Sequence, residues 1–259
     1  MASGILEEMT RSDFENFRPD TAVLAVGATE PHGMHLPYGT DFIKVDRIVK
    51  RAVLAANEQG ARALMLPTIA YGIDTNMMEF PYTTTIMPTT LIRLIGELAE
   101  SMAHHGVKKM LLVNGHGGNN STLETACREF AQKDFFLATI NYWMIAADVV
   151  KQVIETPTEH ACEYETSIAL AVIPEYVKMG DAALGETREC LLEKMGEYGG
   201  KFTRPWHKFT INSGVGEPQR ATRDKGERIV GVIHERLAEV IAELSATEYN
   251  EDFPYKIDH

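Results

Sequence analysis

Apolar and polar residues fall along this chain in blocks whose period switches between unbroken short runs and helix-like faces. Thr21 to Gly27 is apolar throughout, as expected of a strand covered on both sides. From Asp41 to Gln59, residues Phe42, Val45, Ile48, Val49, Ala52, Ala55 and Ala56 recur at spacings of three and four. That spacing predicts an amphipathic helix, with Gly60 as its stop. Arg62 to Leu66 reads as a second strand ended by Pro67. Pro88 opens a helix with Leu91, Leu94, Ile95 and Leu98 inward, closed at Gly106. Val107 to Val113 is a third strand, and Ser121 to Lys133 a helix with Leu123, Ala126, Cys127, Phe130 and Ala131 on one side. Phe135 to Ile140 is a fourth strand.

Alternation of this kind predicts an α/β protein in three layers, α/β/α, with a mostly parallel sheet. Elsewhere the pattern is looser. A short helix is expected near Glu7 to Phe17, and further helices over Tyr142 to Ile154 and His160 to Ile173. Val230, Ile233, Leu237, Val240, Ile241 and Leu244 define a closing helix, followed by a polar and aromatic tail from Thr247. Tyr71 to Met87 reads as a loop, long enough to be functional. Gly196 to Pro218, with Trp206 and His207 between basic residues, reads as active-site cover or subunit contact. No repeat or linker interrupts the chain, so one domain is expected over residues 1–259.

Composition narrows the function classes. Hydrophobic residues make up 44% of the 259 residues, enough for a full core. A net charge of −12 argues against nucleic acid or an anionic membrane as a partner and suits a protein that binds cations. Three scattered cysteines, Cys127, Cys162 and Cys190, form no Cys-x-x-Cys pair and point to a reducing, cytoplasmic setting. No signal peptide is read, and no apolar run approaches the ~18 residues of a membrane span.

Three stretches concentrate groups that bind metals or move protons. The first is the loop after the first strand, with Glu30, His32, His35 and Asp41. The second is His116 in the turn Asn114-Gly115-His116-Gly117-Gly118-Asn119-Asn120, after the third strand. The third is His160-Ala161-Cys162-Glu163-Tyr164-Glu165-Thr166-Ser167. In a parallel sheet the first two loops leave the same edge and can converge. Two histidines and three carboxylates could hold two divalent ions with one carboxylate between them. Such a pair, about 3.5–4 Å apart, activates water and polarises a carbonyl. Glycines 115, 117 and 118 would permit close approach. His35, beside Leu36 and Pro37, reads as structural, and Glu163 as a carboxylate favoured by a helix N-terminus. The glycine turn could instead cradle a phosphate, which keeps a nucleotide- or sugar-phosphate-binding enzyme open. It lacks a full dinucleotide fingerprint, since Asn120 stands where a third glycine belongs. A non-catalytic oligomeric subunit is the third reading.

Together these stretches resemble the creatininase (creatinine amidohydrolase) family. Glu30 to Asp41 meets its signature Glu-x-His-Gly-x-His-Leu-Pro-x-Gly-Thr-Asp, Asn114 to Asn119 its Asn-Gly-His-Gly-Gly-Asn turn, and His160 to Ser167 its His-Ala-Gly-x-x-Glu-Thr-Ser stretch. Phe80 to Thr83 and Ser213 to Pro218 are similar to further family loops. The resemblance implies a hydrolase of C–N bonds in a small amide, cyclic amide or formamide, using two divalent ions, zinc or manganese, and a metal-activated water. By position, Glu30, Asp41 and His116 would hold one ion, and His32, Asp41 and Glu165 the other. Glu165 is preferred to Glu163 because it directly precedes Thr166-Ser167. His160 would carry a proton to the leaving nitrogen. Assembly into a homo-oligomer, a hexamer in the family, is implied too. Several positions depart from the pattern: Pro31, Met34, Cys162 and Tyr82 replace Gln, Pro, Gly and Gly. Gly117-Gly118 and Thr156-Pro157 stand where creatininases carry Tyr-Glu and Trp-Asp pairs that help hold creatinine. Creatinine is therefore not the expected substrate.

Overall fold

A computed structural model describes residues 3–257. Four parallel strands form the sheet: β1 (Thr21–Val26), β2 (Ala63–Ile69), β3 (Lys109–Asn114) and β4 (Phe136–Asn141), in the order β2-β1-β3-β4. The helices are α1 (Thr40–Glu58), α2 (Pro88–His104), α3 (Asn120–Phe130), α4 (Ala147–Val153), α5 (Glu163–Val172), two short ones, α6 (Glu193–Glu197) and α7 (Trp206–Phe209), and α8 (Arg223–Ala246).

The central strands are buried on both faces, so alternate side chains feed two cores. Ala22, Leu24 and Val26 of β1 join Leu91 and Ile95 of α2 and Leu123 and Phe130 of α3. Val23 and Ala25 join Val45 and Ile48 of α1, Val153 of α4, Ile168 of α5 and Ile229 and Ile233 of α8. The result is the expected three-layer α/β/α arrangement.

Several boundaries differ from those the pattern predicts. β2 runs through Pro67 to Ile69, because it is an edge strand and can spare one amide. Its register against β1 slips between Leu24 and Val26, next to that proline. The N-terminal helix appears instead as two 3₁₀ turns, Leu6–Glu8 and Arg11–Glu15. Tyr142 to Ile154 is split into a 3₁₀ turn at Tyr142–Met144 and α4. α5 begins only at Glu163, leaving His160 to Cys162 as the approach to it. α8 starts at Arg223, seven residues before its apolar stripe, capped by the Thr222 side chain, which accepts from the Lys225 amide. Tyr82, at the position where the family has glycine, keeps a left-handed φ of 62°, a conformation costing a side-chain-bearing residue about 1–2 kcal/mol.

Val26, Asn114 and Asn141 lie in register, so the loops after β1, β3 and β4 leave one edge together. Gly27 N donates to Ile69 O and Gly115 N to Val26 O, extending the ladder into the loops themselves. Among the described residues no helix is long and apolar enough to cross a membrane.

Candidate metal centre

The loop from Glu30 to Gly39 reverses on itself through a left-handed Gly33 and delivers Asp41 in the first turn of α1. Its carboxylate is almost completely buried and reaches in two directions. Oδ1 lies 3.1 Å from His32 Nε2, and Oδ2 lies 3.0 Å from His116 Nδ1. Glu30 Oε1 is also 3.0 Å from His116 Nδ1. On the other side Glu165 Oε1 is 3.5 Å from His32 Nε2. His160 Nδ1 stands 3.8 Å from Glu30 Oε1. The structure thus brings together all six residues singled out in the sequence: Glu30, His32, Asp41, His116, His160 and Glu165. His32, Asp41 and Glu165 form one group with ligand atoms within 4.8 Å of each other; Glu30, His32 and His160 form a second, and Glu30, Asp74 and His116 a third.

Backbone geometry sets these side chains. Asn119 ties three loops at once: its amide donates to Gly27 O at 3.0 Å, and its Oδ1 accepts from Ile73 N at 3.0 Å. Asn114 Oδ1 accepts from His116 N at 3.1 Å and braces the turn from within. Gly118 is a glycine that close approach requires, since a Cβ there would lie 2.3 Å from His116 Nε2. A Cβ at Gly115 would lie 2.9 Å from Val45 Cβ and one at Gly117 would meet nothing within 4 Å, so the expectation holds for Gly115 and Gly118 and not for Gly117. Ala161 has φ 51°, a left-handed strain that points its N–H at Glu165 Oε2, 2.7 Å away.

The electrostatics of the cluster draw cations. Burial alone would strip the protons from His32 and His116, yet their carboxylate neighbours outweigh it and raise both pKa values well above the ordinary imidazole range. Burial pushes the Glu30 carboxyl up to about 7 against the pull of His116. Burial acts the same way on Asp41 and Glu165, but the cations facing them prevail and hold both below the usual carboxylate range. Buried carboxylates and imidazoles at these separations are the donor set of a hard-to-borderline divalent ion.

His160 behaves differently. Burial and the nearby His32 depress its pKa to about 4, so it is a neutral imidazole. Its Nε2 lies 3.0 Å from Pro31 O, a pure acceptor, so Nε2 carries the proton and Nδ1 presents a lone pair to the cluster. The Trp206 ring stands across it at 5.5 Å, with Trp206 Nε1 donating to Ser213 O at 2.7 Å. Val215 N donates to His160 O at 2.7 Å and fastens the late loop to the site. Trp206 therefore walls the site, while His207 faces solvent.

His35 stays out of the cluster, its Nε2 2.8 Å from Thr166 Oγ1, in keeping with a structural role. Glu163 is structural too. It is buried and accepts from Thr156 N at 2.9 Å and from Lys225 Nζ at 2.6 Å, tying α5 to α8. Two charged residues at the site were not singled out in the sequence. Asp74, in the loop after β2, is fully buried with Oδ1 2.9 Å from His116 Nε2. Lys44 is fully buried on α1, with Nζ 2.6 Å from Glu165 Oε1. Signals for both existed: Asp74 is the one acid between Tyr71 and Met78 in a loop leaving the same sheet edge. Lys44 follows Asp41 by three residues, on the apolar face of its helix.

Above the cluster opens a cleft of about 1040 Å³, lined by Tyr142, Trp143, Met144, Lys151, Arg204 and Trp206 among others. A three-layer α/β protein with paired carboxylates and histidines at the carboxyl edge of its sheet is built like a metal-dependent hydrolase. The family model for creatininase, creatinine amidohydrolase, matches residues 7–241, and the chain belongs to that family of hydrolases. It is 25% identical over 247 residues to creatinine amidohydrolase from Pseudomonas putida, covering 85% of this chain and 88% of that protein. It is 30% identical over 208 residues to the mycofactocin precursor peptide peptidase of Mycolicibacterium smegmatis, covering 80% of this chain and 78% of that protein. Among solved structures, a candidate creatinine amidohydrolase from Bacteroides fragilis superimposes with a TM-score of 0.87 at 32% identity, over 97% of this chain and all of that one. A manganese form of creatininase shares the fold at a TM-score of 0.78 and 24% identity, over 95% of this chain and all of that one.

Proposed function

We propose that this protein is an amidohydrolase that cleaves a C–N bond in a small amide, cyclic amide or formamide with the help of two divalent ions. The observation that carries this reading is the Asp41 carboxylate, one oxygen on each of two histidines, with Glu30 and Glu165 flanking it. Glu30, Asp41 and His116 would hold one ion, and His32, Asp41 and Glu165 the other. Zinc and manganese suit that donor set, and creatininase structures are described with each. When bound, the ions would polarise the scissile carbonyl and lower the pKa of a water.

The chain's own residues supply the rest. His160, neutral and holding its Nε2 proton on Pro31 O, accepts a proton at Nδ1 and returns it to the departing nitrogen. Trp206 packs against that ring, holds its orientation and limits water at the cluster. Gly118 keeps the space beside His116 clear, and Ala161 N–H fixes Glu165 Oε2. Creatinine is not the substrate we expect, since the residue pairs that hold it in creatininase are replaced by Gly117-Gly118 and Thr156-Pro157. A second reading is hydrolysis of a peptide, the activity named for the Mycolicibacterium smegmatis relative. The size of the cleft favours it, because cavities near 1,000 Å³ accommodate drug-sized ligands. Exposed Leu191 and Tyr198 around α6 support self-association, so a homo-oligomer is part of the proposal.

The test is turnover of a panel of lactams, cyclic ureides, formamides and short peptides by enzyme loaded with zinc or manganese. Hydrolysis of at least one class is expected, lost on chelation and restored by metal. A fully metal-loaded enzyme inert across the panel would favour a non-catalytic subunit. Tight nucleotide binding by a metal-free protein would favour the phosphate-cradle reading.

A further inference from the structure

A second cleft lies between α1, the end of α5 and α8. Its volume is about 490 Å³, and it shares no lining residue with the cleft above the metal cluster. Arg47 and Arg51 of α1 line one wall, four residues apart and so on one face of the helix. Arg223, Glu227, Gly231 and His234 of α8 line the other, at spacings of three and four. Three arginines against one glutamate leave the lining positive, in a chain whose net charge is −12.

Helix stability does not call for this arrangement. Like charges at a spacing of four, as in Arg47 and Arg51, weaken a helix. The protein's own groups answer only part of the charge. Arg47 donates from Nη1 to Val172 O at 2.8 Å and from Nη2 to Glu175 Oε1 at 2.5 Å. Arg223 donates from Nε to Glu227 Oε1 at 2.7 Å, and its two terminal nitrogens make no hydrogen bond. Among the described residues, Arg51 has neither a hydrogen bond nor a carboxylate partner. His234 is half-buried beside it; burial and the Arg51 charge depress its pKa to about 4, so its ring is neutral. Gly231 would meet nothing within 4 Å if it carried a Cβ, and glycine inside a helix costs stability. Its presence keeps the wall beside His234 open.

We propose that this cleft is a second binding site, for a small molecule carrying a doubly charged oxyanion, either a phosphate monoester or a pair of carboxylates. Arg51 and the free terminal nitrogens of Arg223 present planar donor forks that match such oxygens. His234 adds a neutral ring nitrogen between them and Gly231 leaves space. The volume falls in the range of small-molecule sites. The site makes no use of the two-ion reading and stands or falls without it.

The test is calorimetric titration of the metal-loaded protein with ribose 5-phosphate and, separately, with succinate at low ionic strength. The His234 ring protons are followed by NMR and assigned with His234→Gln. Binding of at least one probe is expected, weakening as salt is added, with the His234 signals moving in step. Tighter ribose 5-phosphate would assign the phosphate monoester, and tighter succinate the dicarboxylate. Arg51→Gln should weaken binding about tenfold or more, the loss expected for a charge-assisted hydrogen bond, and Arg51→Glu should abolish it. Both should fold and keep their metal content, because Arg51 is exposed and holds nothing else in place. Failure of both probes to bind at millimolar concentration would overturn the proposal. So would binding that persists in Arg51→Glu with the His234 signals unmoved, since the anion would then sit elsewhere, such as at the metal centre.

Discussion

Replacing Asp41 with alanine is expected to abolish metal binding and to cut kcat/KM by about three orders of magnitude or more. Its carboxylate lies close to both histidines, Oδ1 3.1 Å from His32 and Oδ2 3.0 Å from His116, whereas Glu30 reaches His116 at 3.0 Å and His32 only at 4.0 Å. Removing it takes a donor from both proposed ions at once, whereas removing Glu30 or Glu165 takes a donor from one. Charge stabilisation by metal is worth several kcal/mol, and each 1.36 kcal/mol is a factor of ten in rate. The variant should still fold, because α1 is held by Val45, Ile48, Val49 and Ala52 in a core that Asp41 does not enter. Asp41→Asn, which keeps the volume and removes the charge, should fail in the same direction. Metal content by mass spectrometry and turnover on the same preparation read both effects. An Asp41→Ala enzyme that turns over without metal would remove the proposed chemistry.

The second large effect is expected at His160, and it has the opposite signature. His160→Ala should keep its metal content and lose about 10²- to 10⁴-fold in kcat, the usual contribution of a positioned acid–base group. Its Nδ1 faces the cluster from 3.8 Å off Glu30, further than the 3.0 Å that separates Glu30 from His116. The Nε2 proton is committed to Pro31 O, which leaves one nitrogen for chemistry. His160→Gln, which can hold the Pro31 contact but cannot carry a proton, should be as slow as the alanine variant. Unchanged kcat in either would strip His160 of that role. Loss of metal in both would make it a ligand instead.

The sheet and its flanking helices could be read from the chain because their periods are unambiguous. Ala22 to Val26 is continuous because β1 is covered on both faces, and Val45, Ile48 and Ala52 recur because α1 shows one face to the sheet. The site was partly visible for a similar reason, since strand-end loops in a parallel sheet converge by construction. Glu30, His32 and Asp41 lie within one such loop, and His116 follows another strand. Periodicity could not reveal what depends on position in the finished sheet. Pro67 looks like a stop until β2 is known to be an edge strand. The residues of α8 before Val230 carry no apolar stripe, and their helix is specified by the Thr222 cap and by packing on α5. Asp74 and Lys44 are harder still. A single acid in a polar loop, and a single lysine beside the apolar stripe of a helix, hint at burial but do not name the partners they meet in the fold. Both are at 0% exposure, and both touch a residue from a distant part of the chain: Asp74 meets His116, and Lys44 meets Glu165. Long-range pairing of charge is invisible to any local pattern.

Anomalous X-ray scattering from crystals of the zinc- or manganese-loaded protein would locate the ions themselves. Two peaks per chain are expected, one within ligand distance of Glu30 and His116, the other within ligand distance of His32 and Glu165, with Asp41 reaching both. A single peak, or ions that avoid Asp41, would contradict the two-ion site.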